Sequence, residues 1–173
     1  MSKICELVTT IRDKINEYPL KDFLLKRGEN FSKLCSAMDT IEDTEEAIVE
    51  YLENSEAEVS IGGMYLRVYG LLQAIYVQQD SFRSLCSALD YNMIDFNKNE
   101  LREARNNMVG HPTSRPYGIN RPMTSNTILF EYKFGDVSQK EKTYHLLELI
   151  RQYRTQVTDF FQNIEEHLSH LID

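Results

Sequence analysis

An all-α fold, an antiparallel bundle of four or five helices, is predicted by three observations. Apolar residues recur every three or four positions along most of the chain, the segments that carry this period are long, and the links between them are short. A short β-hairpin ahead of the last helix is the one departure for which the pattern leaves room. The 173 residues and their 42% hydrophobic content suit a single domain covering 1–173, with enough apolar side chain to bury a core without metals or disulfides.

Ile4, Leu7, Val8, Ile11 and Ile15 mark a first amphipathic helix, which Pro19 ends. A second pattern runs from about Leu20 to Leu52, with Phe31, Leu34, Cys35, Met38 and Ile41 on one face. Ile48, Tyr51 and Leu52 continue it, and the acidic stretch from Asp39 to Glu46 is the candidate break into two helices. Asn54 to Gly63 reads as a connection that turns at Gly62-Gly63. From Met64 to about Leu89 comes a long helix whose stripe (Tyr65, Val68, Tyr69, Leu72, Ile75, Tyr76, Cys86, widened by Leu71, Phe82, Leu85 and Leu89) exceeds the one face that a surface helix buries. Such a helix is expected to pack on two sides. A further helix, from about Asn97 to Gly110, leads into a loop with Pro112, Pro116, Gly118 and Pro122. Thr127 to Phe134 alternates in part and stops at Gly135-Asp136, as a strand or hairpin would. Leu146, Ile150, Tyr153, Val157, Phe160, Ile164, Leu168 and Leu171 define the last helix, the clearest in the chain.

The formal net charge of −8 argues against a protein that coats nucleic acid through a broad basic surface. The charge is unevenly spread. Residues 36–60 hold nine acidic side chains and no basic one, whereas residues 98–122 hold Lys98, Arg102, Arg105, Arg115 and Arg121 against Glu100 and Glu103. A local anion site on an acidic protein is therefore compatible with the composition. Cys5, Cys35 and Cys86 are odd in number and form no CxxC pair, which speaks for a reducing, cytoplasmic setting and against a disulfide framework or zinc cluster. No apolar run approaches the roughly 20 residues that a spanning helix needs, so no membrane partner is expected.

The most informative stretch is Arg102-Glu103-Ala104-Arg105-Asn106-Asn107-Met108-Val109-Gly110-His111-Pro112. Pro112 disfavours helical dihedrals at His111 and Gly110 readily ends a helix, which places the imidazole at the helix terminus. With Leu101 at zero on a helical wheel, Met108 falls at about −20° and Ala104 at about −60°, a core-facing stripe, while Arg105 at about +40° and His111 at about −80° flank it. An arginine in that position needs an anionic or carbonyl partner, supplied by the fold or by a ligand. On spacing alone, a structural reading is open: Arg105 pairs with one of the many acids, the two asparagines bond loop backbone, and His111 caps the helix.

The run Arg105 to His111 resembles the signature of HEPN domains, an arginine and a histidine separated by four to six residues, with the polar residue that the family favours after the arginine. Its place late in a penultimate helix, with a long helix before and another after, also resembles that family. The resemblance implies a metal-independent endoribonuclease, usually a dimer whose motifs meet across the twofold axis, or else an inactive, noncatalytic module. It implies His111 as the acid/base group, Arg105 as the phosphate binder, and Asn106 or Asn107 as the group that orients substrate or histidine. Family members that a partner transferase modifies carry a tyrosine two residues after the histidine; Thr113 stands there, so that regulation is not implied.

Chemistry favours pairing on its own account. Cleavage without a metal needs a base for the ribose 2′-hydroxyl, an acid for the leaving 5′-oxygen and a fixed cation for the phosphate, and one motif holds one histidine. An isologous homodimer joined through the wide face of the Met64 to Leu89 helix would supply two. Arg102, Asn107, Arg115 and Tyr117 complete the expected substrate-binding set, the last two on the loop that leaves the motif, where they would hold phosphate and stack a base unless they pack or face water. His167 and His170, beside Glu166, lack a third ligand and read as solvated; His145 reads as the start of the last helix. No cofactor or metal is called for. The expectation is an RNA-cleaving dimer with single-stranded or loop RNA as substrate, and a toxin or antiviral role, with a cognate antitoxin or regulatory protein, by analogy. The alternative is a noncatalytic dimerisation or regulatory module.

Overall fold

The computed structural model describes residues 2–26, 28–92, 99–110, 118–124, 126–134 and 138–170. The fold class is all-α, a helical bundle, with six α-helices among the described residues. They are α1 (Lys3–Asn16), α2 (Leu20–Leu25), α3 (Glu29–Glu53), α4 (Ile61–Leu89), α5 (Glu100–Arg105) and α6 (Leu146–His170). A π-helical turn, Asn106–Gly110, continues α5. Between it and α6 lies an antiparallel sheet of β1 (Gly118–Thr124), β2 (Thr127–Phe134) and β3 (Ser138–His145), in the order β1-β2-β3.

The contacts divide the chain into two compact units. The first comprises Met1–Glu46, Val77–Asp95 and Tyr153–Asp173; the second comprises Ala47–Tyr76 and Phe96–Gln152.

In the first unit, Ser2 caps α1 by accepting a hydrogen bond from the Cys5 amide, and Ile4, Leu7, Val8, Ile11 and Ile15 are all buried, as their spacing predicts. The chain breaks after α2, at Gly28, whose φ of +57° favours a residue without a Cβ. The expected break at Asp39 to Glu46 does not occur: α3 runs unbroken through it. Three of its acids, Asp39, Glu42 and Glu45, are held by partners on other helices. Arg12 of α1 pairs with Asp39 at 2.9 Å and with Glu42, and Arg154 of α6 meets Glu45 at 2.7 Å. Phe82, Phe160 and Phe161 form an aromatic cluster with edge-on geometry, ring centres 5.2, 5.5 and 5.8 Å apart. Ile150 in the second unit and Tyr153, Val157, Phe160, Ile164 and Leu168 in the first are buried along α6, as its period predicts; Leu171 lies outside the described residues.

In the second unit, Ser60 caps α4 through the Gly63 amide, so Gly62-Gly63 sits in the first helical turn and is not the turn expected from the sequence. Of the expected stripe on this part of α4, Val68, Leu71, Leu72 and Ile75 are buried. Tyr65 and Tyr76 are half-buried and Tyr69 is exposed, because hydrophobic spacing alone does not tell a buried tyrosine from one that lies on the surface.

The expected hairpin is present as β2 and β3, and the sheet gains a third strand, β1. Neither β1 nor β3 has the residue pattern of a strand. Gly118 and Pro122 in β1 read as loop, but an edge strand tolerates proline because one side of its ladder is unpaired. The sequence of β3, Ser-Gln-Lys-Glu-Lys-Thr-Tyr-His, has no apolar alternation. His145 is the last residue of that strand, opposite Thr127, and does not begin the helix. Gly135 and Asp136, where the strand was expected to stop, lie outside the described residues. Asn126, at the β1–β2 corner, accepts a hydrogen bond on its side chain from the Tyr51 hydroxyl (3.1 Å) and one on its carbonyl from the Leu146 amide (2.9 Å).

Candidate functional site

The site lies within the second unit, where α5 displays its charges in two directions. Asn99 caps the helix by accepting from the Leu101 amide at 2.8 Å, and Leu101, Ala104 and Met108 are buried, the stripe that the wheel predicts. With that face fixed against the core, Glu100 and Glu103 fall to one side and Arg102 and Arg105 to another.

The acidic side meets β3. The Lys142 ammonium donates to Glu103 at 2.7 Å, stands 3.8 Å from Glu100, and lies 4.8 Å from the centre of the Tyr144 ring. The α5 acids therefore find their cation on the sheet. The basic side meets α4. The Arg105 guanidinium stacks on Tyr76, its central carbon 3.9 Å from the ring centre, and Arg102 reaches the same ring at 4.3 Å. Arg105 also donates through Nη2 and Nε to Gln73 Oε1, at 3.2 and 3.4 Å, and through Nη1 to Asn106 Oδ1 at 3.2 Å.

Every one of these Arg105 partners is neutral. Among the described residues no carboxylate is paired with Arg105. The carbonyl partner that the sequence demands is thus the Gln73 amide, and the positive charge is oriented without being cancelled. A cation held in this way costs little further ordering when an anion arrives.

Asn107 takes a different course. Its side chain is 2% exposed and donates through Nδ2 to the Tyr144 hydroxyl at 3.1 Å, a tie between the π turn and β3. On an ideal α-helix, position 107 would lie off the stripe formed by Leu101 and Met108. Asn107 is nonetheless buried, and it stands on the π turn. Burial raises the Tyr144 hydroxyl pKa well above its ordinary value, with Glu103 adding repulsion, so the phenol is neutral and available to accept from Asn107.

Of the residues expected from sequence, Arg102 and Arg105 meet at Tyr76, Asn106 joins them through Arg105, and Asn107 is buried. His111, Arg115 and Tyr117 lie outside the described residues. The sequence pattern does not mark Tyr76 or Gln73 as site residues, and it places Tyr76 in the apolar stripe of α4. Their spacing of three on one helix does put them on a shared face, but nothing in it says that α5 lies opposite.

Elsewhere, His167 stacks on Tyr91 with ring centres 4.9 Å apart, and its Nε2 is 3.4 Å from the Leu89 carbonyl. It is a packed residue at the end of α6 and not the solvated one expected; His170 is exposed. The described residues contain no group of three histidine, cysteine or acidic side chains placed to hold a metal ion, and no helix long and apolar enough to cross a membrane. Compared with protein-family models, with curated proteins and with solved structures, the chain matches none.

Proposed function

We propose that this chain is a metal-independent endoribonuclease of the HEPN type, acting as a homodimer on single-stranded or loop RNA. The observation that carries this reading is the Arg105 guanidinium, held by Tyr76, Gln73 and Asn106 with no described carboxylate to neutralise it. Under this reading Arg105 binds the scissile phosphate and His111 of the same motif moves protons. The ribose 2′-oxygen attacks phosphorus as a base removes its proton, the bond from phosphorus to the 5′-oxygen breaks, and an acid protonates that leaving oxygen. The products are a 2′,3′-cyclic phosphate and a 5′-hydroxyl. Two histidines, one from each copy, would take the acid and base roles. A toxin or defence role, with a protein inhibitor, extends the same analogy.

The test is cleavage of a single-stranded RNA by the purified protein in EDTA, with His111→Ala and Arg105→Ala beside it. The expected loss for His111→Ala is about 100- to 10,000-fold, with dimer and melting temperature unchanged. Absence of cleavage by the native protein, or full activity in His111→Ala, overturns the proposal.

A specific observation also favours the noncatalytic module. Asn107 is committed to the interior through Tyr144, so part of the motif serves the fold. If both substitutions dissociate the dimer and the native protein cleaves no RNA, the motif is an interface element.

A further inference from the structure

Gly70 stands in the interior of α4, where a glycine weakens the helix because its unfolded backbone has more freedom to lose. Its φ is not positive, and a Cβ at this position would meet no heavy atom within 4 Å, so neither backbone geometry nor a close neighbour calls for glycine. A side chain there would instead grow into a cavity of about 260 Å³ that α3 and α4 form within the second unit. The missing side chain keeps that cavity open. Leu66, one turn earlier on the same face and 75% exposed, is its apolar lip. None of the lining residues is a partner of Arg105, so the cavity is separate from the site around the motif.

Two opposite charges line this cavity. Arg67 is half-buried and donates through Nη1 to the Asn54 and Ala57 carbonyls at 2.9 and 3.1 Å, which fixes the guanidinium on neutral partners. Glu50 accepts from Asn54 Nδ2 at 2.8 Å. Among the described residues no ion pair joins Arg67 to Glu50 or takes either of them elsewhere. Burial raises the Tyr51 hydroxyl well above its ordinary range and the Arg67 charge offsets part of that rise, so the field of the guanidinium reaches the cavity wall.

A ligand with a single charge meets one attraction and one repulsion in such a place, whereas a zwitterion meets two attractions. A carboxylate suits the planar N–H groups of Arg67, and an ammonium suits Glu50. An apolar side chain between those charges would cover Leu66 and fill the space beside Gly70. The volume, at the small end of the roughly 300–1,000 Å³ that ligand pockets span, limits the occupant to a small molecule. We infer that this cavity binds a free α-amino acid with an apolar side chain.

The experiment follows the amide resonances of the protein during titration with L-leucine and L-phenylalanine. Beside them stand the analogues that lack the ammonium (isocaproate, hydrocinnamate) or the carboxylate (isoamylamine, phenethylamine). At least one amino acid is expected to bind with a Kd of about 1 mM or tighter, and its two analogues about tenfold more weakly. Glu50→Gln should weaken the amino acid and spare the analogue without an ammonium; Arg67→Gln should weaken both and spare the amine. A merely structural effect would not sort ligands by charge. Gly70→Leu should abolish binding of all of them while leaving the melting temperature unchanged or higher, since leucine favours a helix more than glycine does.

If Arg67→Gln proves unfolded through loss of its two carbonyl bonds, Glu50→Gln and Gly70→Leu, both at exposed positions, carry the test. Three results each overturn the proposal: no saturable shift from either amino acid below about 10 mM, an analogue that binds as tightly as its amino acid, or undiminished binding in Gly70→Leu.

Discussion

The two units treat polar groups in opposite ways, and α4, which contributes to both, shows it best. In the first unit, residues 77–89 of α4 are buried over most of their circumference, Gln78, Gln79 and Ser81 included beside Phe82, Leu85 and Cys86. The polar side chains there are tied internally: Tyr153 donates to Gln78 Oε1 at 2.8 Å, Gln78 donates to the Ile41 carbonyl at 3.3 Å, and Arg154 pairs with a Glu45 that is fully buried. In the second unit, residues 61–76 bury a single row, leave Ile61, Leu66 and Tyr69 exposed, and use Gln73 and Tyr76 to hold arginines at the surface. A buried charge must be paired, so the first unit spends its polar groups on itself. A half-buried charge on an aromatic ring keeps its field, so the second unit leaves the Arg105 charge oriented and without a described carboxylate.

The sharpest way to break this contrast is Arg154→Met. It leaves Glu45 buried without its cation, and a loss of about 3–5 kcal/mol is expected in urea unfolding, largely recovered by adding Glu45→Gln. Burial raises the Glu45 carboxyl above its ordinary value of 4.5, with the Arg154 guanidinium offsetting part of the shift. The folded state then binds that proton more tightly than the unfolded chain does. The stabilisation this gives is fully present below pH 4.5 and is lost as pH rises through the folded value. The urea midpoint of the native protein should therefore fall relative to that of Glu45→Gln over this interval; parallel profiles would mean that the carboxyl is not desolvated.

Asn107→Ala should come next, at about 1–3 kcal/mol, because it removes the buried hydrogen bond between Asn107 and the Tyr144 hydroxyl. It sharpens the comparison by asking whether the second unit has any internal polar tie as costly as those of the first. A change below about 0.5 kcal/mol would show that the tie is dispensable. Leu66→Ser, at a position 75% exposed, is expected to shift stability by no more than about 0.5 kcal/mol in either direction. A larger loss would mean that this face is covered in solution.

What the residue pattern alone determined is whatever depends on local periodicity. The apolar rows of α1 and α6, and the Leu101, Ala104 and Met108 face of α5, follow from a 3.6-residue repeat, which is a property of the chain itself. Tertiary structure decided everything that needed a second element. Proline-bearing β1 and polar β3 are strands because β2 lies between them to receive their hydrogen bonds. Asp39, Glu42 and Glu45 of α3 meet Arg12 and Arg154, which come from other helices. Asn107 on the π turn meets Tyr144 of β3, and α4 brings Tyr76 and Gln73 to the arginines. Pairing energies of this kind depend on distances between residues far apart in the chain, and no single stretch of sequence encodes those distances.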